Sequence, residues 1–196
     1  MKPKNPFLVS GYYSPEFFCN RNKETKRIIN ALANGRNITL FSIRRLGKTG
    51  LIEHVFHNLK LNKKTHLFYI DILPTTNLSS FVNLFASSVL GKLESKTELF
   101  VKKAGEIFKG IRPVISFDSY TGAPTLQINI QSVEDADKSL QNIFSYLKES
   151  GKKIVLAFDE FQQITNYPEK NIEAVLRTNI QRAVGVNFIF SGSQKH

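Results

Sequence analysis

The chain has little cysteine, little acid and no long apolar run, and each shortage closes off a class of protein. Among 196 residues there is one cysteine, Cys19, so no internal disulfide can form. That fits a reducing, cytoplasmic setting. No stretch approaches the ~20 consecutive apolar residues of a membrane-spanning helix, so no membrane partner is expected. The opening "MKPKNPFLVSGYYSPEFF" has no long apolar core behind its lysines, so no signal peptide is expected either. Internal repeats and low-complexity linkers are absent. Asp and Glu number 16 against 27 Lys and Arg, a formal net charge of +11. A basic balance suits nucleic acid, a nucleotide or an anionic surface. The lysines come in scattered doublets, Lys63-Lys64, Lys102-Lys103 and Lys152-Lys153, with no long basic run and no interleaved aromatics. They read as solvated surface charge, which leaves nucleic acid a weakly supported partner.

What is present is a globular composition, 41% apolar and 22% charged, with length for one ordinary domain and its core. "RNITLFSI" (Arg36 to Ile43) is a β-rich apolar run after the turn Asn34-Gly35 and reads as a buried strand. "LIEHVFHNLKL" has helical spacing. "THLFYIDI" reads as a second strand, and two helices follow, the first carrying Phe81, Leu84, Phe85, Val89 and Leu93. "PVISFD" and "TLQINI" flank "SYTGAP" and predict a β-hairpin inserted at about 112–131. "VEDADKSLQNIFSYLKES" predicts an amphipathic helix stopped by Gly151. "KIVLAFDEF" and "VNFIFSGS" predict two more core strands, with the helix "EKNIEAVLRTNIQRA" between them. Strands alternating with helices, apolar without a period of two, imply an α/β fold: three layers around a mostly parallel sheet covered on both faces. The expectation is one domain over 1–196, with a leading segment 1–36 and a core 37–196. The chain is expected to be the N-terminal part of a longer protein, truncated before a lid.

Chemistry concentrates where the first strand meets its helix. "SIRRLGKT", Ser42 to Thr49, has the layout of a phosphate-binding loop, with Ser42 where the first glycine of that signature stands. Backbone N–H groups of Ser42, Ile43, Arg44, Arg45, Leu46, Gly47 and the helix start at Gly50 are placed to face phosphates at the positive end of the helix dipole. Lys48 would reach the β- and γ-phosphates, and the Thr49 hydroxyl would ligate Mg²⁺. Gly47 would allow close approach, since a Cβ there would meet the phosphate. A small residue at 42 suffices if its φ stays negative. The apolar strand "KKIVLAFDEF" ends in Asp159 and Glu160. Asp159 suits Mg²⁺ and Glu160 suits the base that primes water. "FIFSGS" offers Ser191 and Ser193 to sense the γ-phosphate.

Together "FFCNRNKETKRIINAL", "RRLGKTGLI", "VLAFDEFQQI" and "FIFSGSQ" resemble the N-terminal nucleotide-binding domain of the AAA+-like and STAND-like P-loop ATPases, the archaeal-ATPase type that is also widespread in bacteria. The resemblance implies a parallel sheet with the sensor strand between the P-loop strand and the acidic strand. It implies ATP rather than GTP, with Mg²⁺, Lys48, Glu160 and Ser191 as catalytic groups and Thr49 and Asp159 as metal ligands. It places Arg21 and Phe18 near the adenine. It also implies a nucleotide-dependent switch acting on a C-terminal effector domain or partner protein. Arg177 or Arg182 is a candidate arginine finger, and Gln162 a candidate orienting group. His54 and His57, one turn apart without a completing ligand, read as a helix face. Asp71 reads as structural. Two rival readings are a nucleotide-binding regulatory module without turnover and a DNA-associated ATPase module.

Overall fold

The elements expected from the sequence follow one another in the same order in the computed structural model, which describes residues 11–60, 65–94, 96–111, 113–117, 119 and 124–194. The first ten residues, the Lys63-Lys64 doublet, most of the hairpin turn and the last two residues lie outside the described residues. In chain order come α1 (Asn22–Ala33), β1 (Ile38–Ile43), α2 (Lys48–Lys60), β2 (Thr65–Asp71), α3 (Leu78–Leu93), α4 (Thr97–Ile107), β3 (Pro113–Phe117), β4 (Pro124–Ile128), α5 (Val133–Glu149), β5 (Lys153–Asp159), α6 (Ile172–Arg182) and β6 (Val186–Gln194). No helix among the described residues is long and apolar enough to cross a membrane. The contacts divide the chain into two compact units: residues 1–69, 152–161 and 186–196, and residues 70–151 and 162–185.

The first unit is built on a four-stranded sheet of order β1-β6-β5-β2. β6 runs parallel to both β1 and β5, with Leu40 opposite Ser191, Ser42 opposite Ser193 and Ala157 opposite Ile189. The strand carrying the two serines therefore lies between the P-loop strand and the acidic strand, as the resemblance implied. β5 is buried at every position from Ile154 to Asp159, which explains its unbroken apolar run: a central strand has no wet face. β1 departs from the expected buried strand. Thr39, Phe41 and Ile43 are exposed, Phe41 to 62%. They alternate with half-buried Ile38, Leu40 and Ser42, so one face of β1 is left uncovered; β1 also ends the sheet, and no other described strand pairs with its outer edge. α1 and α2 bury Ile28, Leu32, Leu51, Ile52, Val55 and Phe56 against Leu67, Val155, Ala157 and Ile189.

The second unit is mostly helical. Phe81, Phe85, Phe100 and Phe108 are fully buried, and the Phe85 and Phe144 rings sit 5.3 Å apart. Its hairpin pairs β3 with β4 antiparallel, Pro113 opposite Ile128. α3 begins with a capping box in which Asn77 accepts from the Ser80 N–H and Ser80 returns a bond to the Asn77 N–H. One side chain of α3 then acts as a strand would. Asn83 Oδ1 accepts from the Ile128 N–H at 2.5 Å, and its Nδ2 donates to the Ile128 carbonyl at 3.2 Å. Ser87 donates to the Leu126 carbonyl at 2.9 Å. These bonds satisfy backbone groups of β4 that the two-stranded hairpin leaves open.

Candidate functional site

The strand–loop–helix turn between β1 and α2 is shaped by two residues in the left-handed region, Arg45 at φ 64° and Gly47 at φ 69°. Ser42 is not among the residues of positive φ. The glycine missing at that position is therefore not required, because the chain turns at Arg45 instead. Alternating signs of φ gather successive N–H groups into an anion-binding concavity. A Cβ on Gly47 would meet no protein atom within 4 Å, so in the protein itself it is the conformation that asks for glycine. Lys48, 8% exposed, folds back over the loop, where its Nζ donates to the Ile43 carbonyl at 3.2 Å and to Ser42 O and Oγ at 3.4 Å. These are long contacts to neutral acceptors, weak rivals for a phosphate oxygen.

Asp159 sits at the tip of β5, 2% exposed. Its Oδ2 accepts from the Thr49 hydroxyl and the Tyr69 hydroxyl, each at 2.6 Å, and its Oδ1 from the Glu160 N–H at 3.0 Å. Burial pushes the carboxyl up, but the hydrogen bonds from Thr49, Tyr69 and the Glu160 backbone, with the Ser191 hydroxyl nearby, outweigh it and hold the group below its ordinary value. Ser191 is fully buried next to this carboxyl, yet its hydroxyl completes no bond of good geometry with any described group. Every donor to Asp159 is neutral, and it forms no ion pair among the described residues. A buried anion served only by dipoles beside a threonine hydroxyl is a donor set suited to a hard cation that binds oxygen. No cluster of three His, Cys, Asp or Glu among the described residues could hold an ion by itself.

Arg44, Arg45, Gly47, Lys48, Thr49, Gly50, Glu160 and Ser193 line one cavity of about 850 Å³, which Gly11 of the leading segment also reaches. Glu160 takes a φ of 54°, a left-handed conformation that non-glycine residues avoid at a cost of roughly 1–2 kcal/mol. Ser42, Ile43, Leu46, Arg21, Asp159 and Ser191, also expected at the site, do not line this cavity. Ser191 stands on β6 next to Asp159. Ile43 contributes its carbonyl to Lys48, and Leu46 is exposed. The Arg21 guanidinium donates to the Leu46 carbonyl, bracing the loop from outside. With Ser42, Lys48 and Leu51, Arg21 lines a second groove of about 460 Å³ along β1.

Sequence reasoning missed Tyr69, whose hydroxyl reaches Asp159 across 90 residues of chain. Its alternation with buried Phe68 and Ile70 marks the opposite face of β2, but nothing local names its partner. It also missed the seat of the leading segment. Phe18 stacks on His54 at 4.2 Å, and the Tyr12 hydroxyl lies 3.0 Å from His54 Nδ1. A Cβ on Gly50 would touch Phe18 at 3.7 Å. His54 is thus a packed residue. Asp71 accepts from the Leu73 N–H at 2.9 Å, a turn-closing role. Arg177 and Arg182 are exposed on α6.

Comparison with known proteins bears on the family and the fold. Two uncharacterized ATP-binding proteins of Methanocaldococcus jannaschii are 32% identical over 160 residues and 29% identical over 178 residues. These alignments take in 75% and 84% of this chain but 40% and 42% of those proteins. The chain thus spans about two fifths of the length of these relatives. A Walker-type ATPase of Pyrococcus abyssi shares the fold with a TM-score of 0.55 at 19% identity, over 96% of this chain and 49% of that one. The Aeropyrum pernix ORC1 protein, solved in complex with DNA, does so with a TM-score of 0.57 at 16% identity, over 90% and 40%. A family described as an ATPase domain predominantly from Archaea matches residues 18–182. With the P-loop, the acidic strand tip and the strand between them in one parallel sheet, the chain belongs to this ATPase domain family.

Proposed function

We propose that the domain binds ATP with Mg²⁺, hydrolyses it by in-line attack of water on the γ-phosphate, and serves as a nucleotide-dependent switch for a C-terminal part of a longer protein. The type is AAA+-like and STAND-like. One observation carries the reading: Thr49 and Asp159, 110 residues apart in sequence, meet at 2.6 Å next to a loop whose lysine is free to exchange weak contacts for phosphate. Lys48 would hold the terminal phosphates, and Thr49 and Asp159 would hold the dication. Glu160 would take the proton of the attacking water, and Ser191 or Ser193 would hydrogen-bond the terminal phosphate. Bound Mg²⁺ would neutralise charge on the β- and γ-oxygens. A cytoplasmic setting is supported by the single free cysteine.

Two variants test the proposal. Lys48→Ala should weaken ATP binding about 10- to 100-fold in calorimetry, the scale of a lost charge-assisted bond; unchanged affinity would sink the P-loop assignment. Glu160→Gln should keep ATP affinity while lowering phosphate release by about 10²–10⁴-fold. If release is unaltered, the alternative holds, a nucleotide-binding regulatory module without turnover of its own.

A further inference from the structure

The positive charge of this protein is not spread over it. Among the described residues the first unit holds 11 Lys and Arg against 5 Asp and Glu, whereas the second holds 10 against 10, so their excess of positive charge belongs to the unit with the parallel sheet. Within that unit, a cavity of about 640 Å³ opens between α1 and the start of β1, lined by the cations Lys23, Lys26, Arg27 and Arg36. The amides of Asn30, Asn34 and Asn37 line it as well, and no acidic residue does. All four cations are exposed, and none makes an ion pair or side-chain hydrogen bond among the described residues. Asn37 is anchored by accepting from the Phe188 N–H at 3.0 Å, which leaves its amide N–H₂ as a donor. Arg27, Asn37 and Ile38 also line the 460 Å³ groove beside β1, so the two form one continuous trough. The one acid along it is Glu24.

We propose that this trough binds the phosphate backbone of a nucleic acid. The cations run from the first turn of α1 to beyond its end, and a helix of 12 residues is ~18 Å long. A row of that length matches successive phosphates along a strand and is too long for one small anion. Amide donors between the cations suit phosphate oxygens, which take hydrogen bonds from Asn as well as from Lys and Arg. Contacts to phosphates carry no sequence information, so the binding they give is independent of sequence and governed by counterion release. The four cations line no part of the nucleotide cavity, which the trough meets only at its far end through Lys48, and their role does not depend on the ATP reading.

The test is fluorescence anisotropy of a short labelled duplex DNA, and of a single-stranded RNA, titrated with the protein across about 50 to 200 mM salt. Four phosphate contacts predict a slope of log K against log salt near −3 to −4 on duplex DNA. The variant Lys23→Gln/Lys26→Gln/Arg27→Gln/Arg36→Gln should lose at least about tenfold in affinity and most of that slope, while its ATP affinity stays as in the wild type. A control of equal charge, Lys96→Gln/Lys102→Gln/Lys109→Gln/Lys138→Gln in the second unit, should bind like the wild type. Equal loss in both variants would reduce the effect to net charge and overturn the site. So would the absence of binding to either nucleic acid at the lowest salt, or binding only to phosphatidylserine vesicles.

Discussion

Tyr69 shows how much a single hydroxyl can decide in this site. Asp159 is buried, and burial alone would favour its neutral form, which could not hold a cation. The bonds from Thr49 and Tyr69 reverse that balance. Removing the Tyr69 hydroxyl leaves part of a buried carboxylate unserved, so Tyr69→Phe should destabilise the protein by about 1.5 kcal/mol. Urea unfolding near neutral pH measures this. Asp159 is held low in the folded state, so its stabilisation is present above the ordinary carboxylate range and disappears as pH falls through the depressed value. The Tyr69→Phe deficit should accordingly shrink in acid. A cost that is the same at acid and neutral pH would show that the hydroxyl does not act through the carboxylate. None of this was legible locally, because Tyr69 and Asp159 become neighbours only when β2 pairs with β5.

Helices and strands followed from periodicity, and the exceptions have causes in pairing. β5 reads as a central strand and is one. β1 has the same apolar composition yet exposes Phe41 and Ile43, since composition does not say which face of a strand the rest of the chain covers. The hairpin was legible from two alternating runs about a Gly/Pro turn, but its tie to α3 was not. Asn83 lies amid the apolar spacing of a helix, where Asn is ordinarily a weak helix former. Its role appears only with Ile128 opposite it. Asn83→Ala would strand both backbone groups of Ile128. The expected cost is about 2 kcal/mol, read as a lowered urea midpoint with unchanged slope. Asn83→Asp, which keeps the acceptor for the Ile128 N–H but loses the donor, should fall between. A midpoint that does not move in Asn83→Ala would remove the element-bridging role.

For the whole molecule, pH should act through the seat of the leading segment on α2. Burial first, and then the neighbouring His57, hold the His54 imidazole below its ordinary value, so the folded state favours the neutral ring under Phe18 and beside Tyr12. The unfolded chain binds the proton more readily. The stability from this contact is complete above the unfolded histidine value near 6.5 and declines as pH falls toward the lower folded value. Thermal midpoints measured across that window should drop more in the wild type than in His54→Phe. Parallel curves would exclude His54 as the source. The sequence by itself determined the order of elements, the P-loop at Ser42 to Thr49 and the acidic pair at 159 and 160, because periodicity and motif spacing act over a few residues. Only tertiary structure decided that Tyr69 joins Asp159, that Arg21 braces Leu46, that β1 is an edge and that the excess charge lies in one unit. Those facts depend on which distant segments pair, and the free energy of pairing is set by the sheet as a whole.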